Sequence, residues 1–257
     1  MCRIVFVLLL SVYAFAAESN DLAFRAEKAL KTGKFSKANA LYERALLSSR
    51  KESDLKSEGR ILIAMANLRT QSLDLEFAER LLSSVRKAEL DTVTLSAYYL
   101  AWMELFLERK DYDKVIDIKY SMDEKFLKRI PDGILGNILC VSAVAFAGKG
   151  EARVSESYLN DGELAFGGDA PGTLAFAAAR SAGILQKPEA DSLYGVALER
   201  SIRAGRPFMS ATILYYRGLS EKRPQIAKDY FVRSANAFEL MGLPKNSRRA
   251  KALGEKP

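Results

Sequence analysis

Residues 23–46 read AFRAEKALKTGKFSKANALYERAL, and their spacing decides the fold. Gly33 stands at a turn. Phe35, Ala38, Tyr42 and Ala45 follow at the intervals of a helix that lies back along its predecessor. Small residues fall where two backbones touch, and aromatic residues fall where a gap has to be filled. A related pattern returns about 40 residues later around Ala78, and again over 111–116. Recurrence at such a period marks helical hairpins stacked in series rather than one globule.

Working outward, 3.6-residue periodicity dominates, as over 59–68 and 95–107, and strand-type alternation is hard to find. Helix pairs are expected to start near residues 19, 54, 92, 132, 170 and 207, in steps of about 35 to 40. Ser19 or Asn20 is expected to cap the first helix and Ser36 the second. The second pair is expected over 54–71 and 74–87, and the third over 92–109 and 112–125. Pro131 and Asp132 open the fourth pair, whose turn carries Gly148 and Gly150. The fifth fills 172–185 and 188–204, and the sixth 207–220 and 224–241. Pro188, Pro207 and Pro224 suit helix starts, and Gly205 and Gly242 suit helix stops. The run 167–172, GGDAPG, is the richest breaker cluster and a possible break in the series. A last short helix after Pro244 is expected to cap the stack. One hairpin alone leaves an apolar face in water, so each unit needs its neighbour and the end needs a polar cover.

These positions resemble the tetratricopeptide repeat family. Ala26 takes its first small position, Gly33 the turn, Phe35 the aromatic after it, and Ala38, Tyr42 and Ala45 the positions down the second helix. A second copy has Ala66, Ala78 and Leu82, with Leu73 in place of the turn Gly. A third keeps the turn at 110–114, with Val115 for Ala and Met103 for the first small residue. The resemblance implies an all-α, right-handed solenoid of about six antiparallel helix hairpins with a C-terminal capping helix. It also implies that first helices line the concave surface, where Glu27, Arg60, Asn67, Glu104 and Glu108 would meet a partner. The family's clamp for chaperone tails wants basic and amide groups there. The acids found instead favour basic or polar ligands.

Composition bounds the function. Of 257 residues, 49% are hydrophobic, so the chain can build a core. Arg3 followed by an apolar stretch to Phe15, with Ala14 and Ala16 at the positions a signal peptidase reads, is expected to be a signal peptide over 1–16. The folded part is then residues 17–257, exported to a periplasmic or extracellular space. Cys2 precedes the apolar run, so it does not read as a lipidation site. Cys140, among apolar neighbours, reads as a buried thiol that leaves the processed chain without a disulfide. The formal charge of +7 is concentrated in a tail, residues 245–257, that offers a contact for an anionic envelope surface.

The chain has no His, which excludes Ser–His and Cys–His nucleophile pairs and His-ligated zinc. Asp111, Asp113 and Asp117 lack the glycine and acid spacing of a calcium loop. Gly148-Lys149-Gly150 lacks the upstream Gly and the Ser or Thr of a phosphate loop. Trp102, with Tyr98, Tyr99, Met103 and Phe106, reads as packing between repeats, with a groove-exposed anchor as the alternative. No metal, cofactor, catalytic residue or nucleic-acid site is expected. The expected function is an exported, non-catalytic scaffold that holds a protein or peptide on its concave face. The alternatives are an assembly role in the envelope, docking through a flank or the basic tail, and a carboxylate enzyme in the groove.

Overall fold

The computed structural model describes residues 18–167 and 172–255. The expected signal at 1–16 lies outside them, and so do residues 168–171, on which the possible break falls. Fourteen α-helices and no strand occur among the described residues. They are α1 (18–31), α2 (Phe35–Lys51), α3 (Leu55–Gln71), α4 (Leu75–Ser83), α5 (Thr92–Glu108), α6 (Tyr112–Tyr120) and α7 (Glu124–Leu127). There follow α8 (Asp132–Gly148), α9 (Ala152–Phe166), α10 (Thr173–Ile184), α11 (Ala190–Arg203), α12 (Pro207–Ser220), α13 (Pro224–Leu240) and α14 (Pro244–Gly254). The helices pack in neighbouring pairs, as the repeat spacing requires.

One turn is used again and again. At the first hairpin the N–H of Gly33 donates to the carbonyl of Leu30 and that of Lys34 to Ala29, both at 2.9 Å. Gly33 is left-handed, with φ 76°. This is the Schellman closure, which satisfies orphan carbonyls at a helix end and sends the chain straight back. The same pair of bonds recurs at Ser53, Leu73, Lys110, Gly150, Gln186, Gly205 and Gly242, every one with positive φ. Four of these turn residues are not glycine. The geometry therefore persists where the sequence signature has been lost. The α12–α13 turn is built otherwise: the Glu221 carboxylate takes both the backbone N–H and the guanidinium of Arg223 at 2.9 Å, and Pro224 starts α13.

The chain divides into two compact units, residues 1–98 and 99–257, with the division inside α5. In the first unit α3 packs against α2 and α4. Ala26, Ala38, Ala45, Ala66 and Ala78 are fully enclosed, as backbone contact demands, and Phe35, Tyr42 and Leu82 are buried among them. Asp54 caps α3 by accepting the Ser57 N–H at 3.0 Å.

In the second unit the hairpins α8–α9, α10–α11 and α12–α13 pack in series. Their first helices touch directly, α8 with α10 and α10 with α12, and α14 closes on α13. Trp102 belongs to this core: it stacks on Phe106 at 5.3 Å and packs against the cluster around Met103, Val115 and Ile138. Cys140 is buried, and burial pushes its thiol up to about 12, where it is an inert hydrophobe.

Several boundaries differ from the sequence reading. Residues 18–20 are already helical and Ser19 is enclosed, so neither Ser19 nor Asn20 is an N-cap. The second helix starts at Phe35, with Lys34 rather than Ser36 at its cap. α4 stops at Ser83, where the Ser84 hydroxyl bonds back to Leu81 at 2.7 Å. The helix expected over 112–125 breaks in two: Ser121 bonds back to Ile118 at 2.7 Å, and Asp123 accepts the Phe126 N–H to start α7. Short polar side chains competing for backbone groups explain these breaks.

Candidate functional site

The first unit holds three of the five residues expected to meet a partner. Glu27 on α1 is exposed and pairs with Lys31 at 2.8 Å, an open surface pair of little energetic weight. Tyr42 is pushed up to about 12 by burial and then by the Glu27 charge. Arg60 and Asn67 lie two turns apart on α3, on the same face. Arg60 donates to Asn20 on α1 and, at 3.4 Å, to Ser57. The amide oxygen of Asn67 is enclosed and finds no hydrogen-bond partner among the described residues. Close by in sequence, Arg69 donates to Asn39 at 2.7 Å and lies 4.8 Å from the Phe77 ring centroid. That cross-helix link was not visible in the sequence, because Asn39 and Arg69 each read as ordinary helix-surface residues.

The second unit holds Glu104 and Glu108, one turn apart on α5. Glu108 is the centre of a network drawn from four helices. Arg249 of α14 pairs with its Oε1, and the Tyr216 hydroxyl of α12 lies 3.4 Å from its Oε2. Arg180 of α10 donates to the same Tyr216 hydroxyl at 2.7 Å and stacks 4.1 Å from that ring's centroid. Arg249 stacks likewise on Tyr215, at 4.2 Å. Phe176 packs against Tyr216 with centroids 5.9 Å apart. Burial pushes Tyr216 up to about 12, against the pull of Arg180. Burial works against the charge of Arg249, and the Glu108 carboxylate more than offsets it, holding that guanidinium above its ordinary value.

Glu104 is different. No ion pair or hydrogen bond reaches it among the described residues, although it is only partly accessible. Burial alone raises its carboxyl to about 7. It is the only ionisable carboxylate or cation between Thr92 and Leu107, on a helix otherwise rich in aromatic and aliphatic side chains. A carboxyl so placed costs stability, and such costs concentrate where a protein meets something else.

The basic tail is not a free appendage. Asn246, Ser247 and Ala250 are buried, Arg249 points to Glu108, and Lys251 pairs with Glu239 at 2.6 Å. A cleft of about 580 Å³ lies between the α10–α11 and α12–α13 turns. Its acids are taken, Asp191 by a two-pronged bond from Arg217 at 2.7 and 3.0 Å and Glu221 by Arg223. Among the described residues no group of three or more His, Cys, Asp or Glu gathers to hold a metal ion, and no helix is long and apolar enough to cross a membrane.

Comparison with protein-family models, curated proteins and solved structures finds no match. The functional reading therefore rests on the residues themselves.

Proposed function

We propose that the chain is an exported, non-catalytic interaction scaffold of the tetratricopeptide type, holding a protein or peptide segment on the face formed by its first helices. The observation that carries this reading is Glu104. Its neighbour Glu108 is engaged by Arg249 and Tyr216, while Glu104 has no partner among the described residues and stays partly accessible. Around the engaged carboxylate stand Phe176, Arg180, Tyr215 and Tyr216, the aromatic and arginine side chains in which interface energy concentrates. An acid in that setting selects a basic or polar group on the bound segment. A periplasmic or extracellular location is part of the same proposal and rests on residues 1–16.

The test is affinity capture from an envelope fraction with the wild-type chain, Glu104→Lys, and Glu255→Lys as a surface control. The expected result is a captured protein whose retention falls at least about tenfold with Glu104→Lys and not with the control, the weight of one lost charge-assisted contact. Equal retention by both variants removes Glu104 from the site. Capture of nothing by the wild-type chain overturns the scaffold reading.

A further inference from the structure

Three aliphatic side chains of the second unit project into solvent near the C-terminal ends of its second helices, two or three residues before the turn glycines Gly167, Gly205 and Gly242. Leu164, Ile202 and Leu240 are 79%, 62% and 90% exposed, against a core in which most Leu and Ile are nearly fully enclosed. They occupy the last turns of α9, α11 and α13, the second helices of three successive hairpins. Because those hairpins pack in series through α8, α10 and α12, the three ends fall along one edge of the unit. A single exposed leucine needs no explanation, but the same protrusion in three consecutive repeats does.

The charge of the chain is gathered on the same side of the sequence. Residues 190–257 carry 13 Lys and Arg against 6 Asp and Glu, which accounts for the entire formal net charge of +7. Arg200, two residues before Ile202, and Arg248, eight residues after Leu240, are exposed. The acids nearest to Ile202 and Leu240 are already neutralised, Glu199 by Arg203 and Glu239 by Lys251. Only the Leu164 end is acidic, through exposed Asp161 and Glu163.

We propose that this edge is a second interaction surface, and that its occupant is an anionic lipid bilayer. Protein partners are held mainly by aromatic and arginine anchors seated in pockets. Here the apolar groups are aliphatic, protruding and flanked by cations, which suits shallow insertion between acidic headgroups. The Ile202–Leu240 end leads the approach, because the cations lie there. The surface shares no residue with the Glu104 site, so each is tested by its own variants.

The experiment places an environment-sensitive nitrobenzoxadiazole label on the full chain, with Cys2→Ser and Cys140 left in place because it is buried. Labels go at Ile202→Cys, Leu240→Cys and, as control, Gln225→Cys, which is exposed at the opposite end of α13, about 22 Å from Leu240 at 1.5 Å per residue. Phosphatidylglycerol-containing vesicles are expected to raise and blue-shift emission at 202 and 240 but not at 225, and pure phosphatidylcholine vesicles are expected to do neither. The Leu164→Ser, Ile202→Ser, Leu240→Ser triple variant is expected to lower vesicle partition on the order of tenfold or more, with unchanged far-ultraviolet circular dichroism. No response at 202 and 240, an equal response at 225, or an equal response to both vesicle types overturns the proposal. Binding to polyglutamate beads without a vesicle response overturns it too, and assigns the cations to an acidic protein.

Discussion

Arg249 pairs with Glu108 across 141 residues of sequence, joining the last helix of the second unit to the helix with which that unit opens. Tyr215 supplies a ring face for the guanidinium and Tyr216 a hydroxyl for the carboxylate, so the pair is ordered before it is counted as charge. Both side chains are largely but not wholly withdrawn from water. Such a pair couples more strongly than a surface pair, because removing either partner strands the other. Arg249→Ala and Glu108→Gln are each expected to destabilise the chain. A double-mutant cycle by urea unfolding is expected to return a coupling of about 1–2 kcal/mol. A coupling near zero would show that α14 is held by its apolar contacts with α13 alone.

Glu104 makes stability depend on pH in a direction opposite to that of a paired acid. Its carboxyl is raised from 4.5 to about 7 by burial, so the folded state holds a proton that the unfolded chain releases. Below about pH 4.5 both states are protonated and nothing is lost. Between 4.5 and 7 the unfolded chain ionises first and stability falls. Above 7 the loss levels off, at about 3 kcal/mol for a displacement of this size. Glu104→Gln is expected to match the wild type near pH 4 and to be the more stable chain at pH 8. A stability difference that stays flat from pH 4 to pH 8 would mean that this carboxyl is well solvated or paired.

Architecture was legible because hairpin packing leaves marks in the sequence. Ala26, Ala38 and Ala45 are fully enclosed, as the spacing around Gly33 required, and Pro207, Pro224 and Pro244 begin helices as their fixed φ allows. The turns at Ser53 and Gln186 carry no glycine to mark them, and the turn read at 110–114 closes on Lys110 without one, because tertiary packing holds ordinary residues in the left-handed region. The breaks at Ser84 and Ser121 were missed for a related reason: a serine that bonds back to its own helix looks like any exposed polar residue. The site was legible only in part. Glu108 read as a free groove acid, yet its partner Arg249 lay in a segment read as a polar cap and a contact for an anionic surface. No local pattern reveals a contact at such separation.

The repeated turn allows a two-way test. Lys110 is exposed and left-handed, with φ 60°, whereas Gly150 holds the equivalent place in the next hairpin at φ 81° with open space where a Cβ would stand. Left-handed backbone costs a residue with a Cβ roughly 1–2 kcal/mol, partly offset by the freedom glycine gives the unfolded chain. Lys110→Gly is expected to stabilise by up to about 1 kcal/mol and Gly150→Ala to destabilise by about 1–2 kcal/mol, by urea unfolding. The same sign for both would show that the two turns are not equivalent.

Two helical glycines separate packing from propensity. A Cβ at Gly195, in α11, would meet nothing within 4 Å, so Gly195→Ala should gain about 0.5–1 kcal/mol from the lost entropy of the unfolded chain. A Cβ at Gly218, in α12, would stand 2.8 Å from the ring of Phe231. That ring cannot simply step aside, because it is buried among Tyr215, Ala235 and Ala250, where α13 and α14 meet α12. Gly218→Ala is therefore expected to cost about 1–3 kcal/mol despite its better helix propensity. Gly218→Ala with Phe231→Leu should recover part of that loss, since the smaller side chain removes the ring edge that the new methyl meets. Thermal and urea unfolding of the four chains would decide it: a Gly218→Ala chain as stable as Gly195→Ala would place α12 farther from α13 than the Phe231 contact allows.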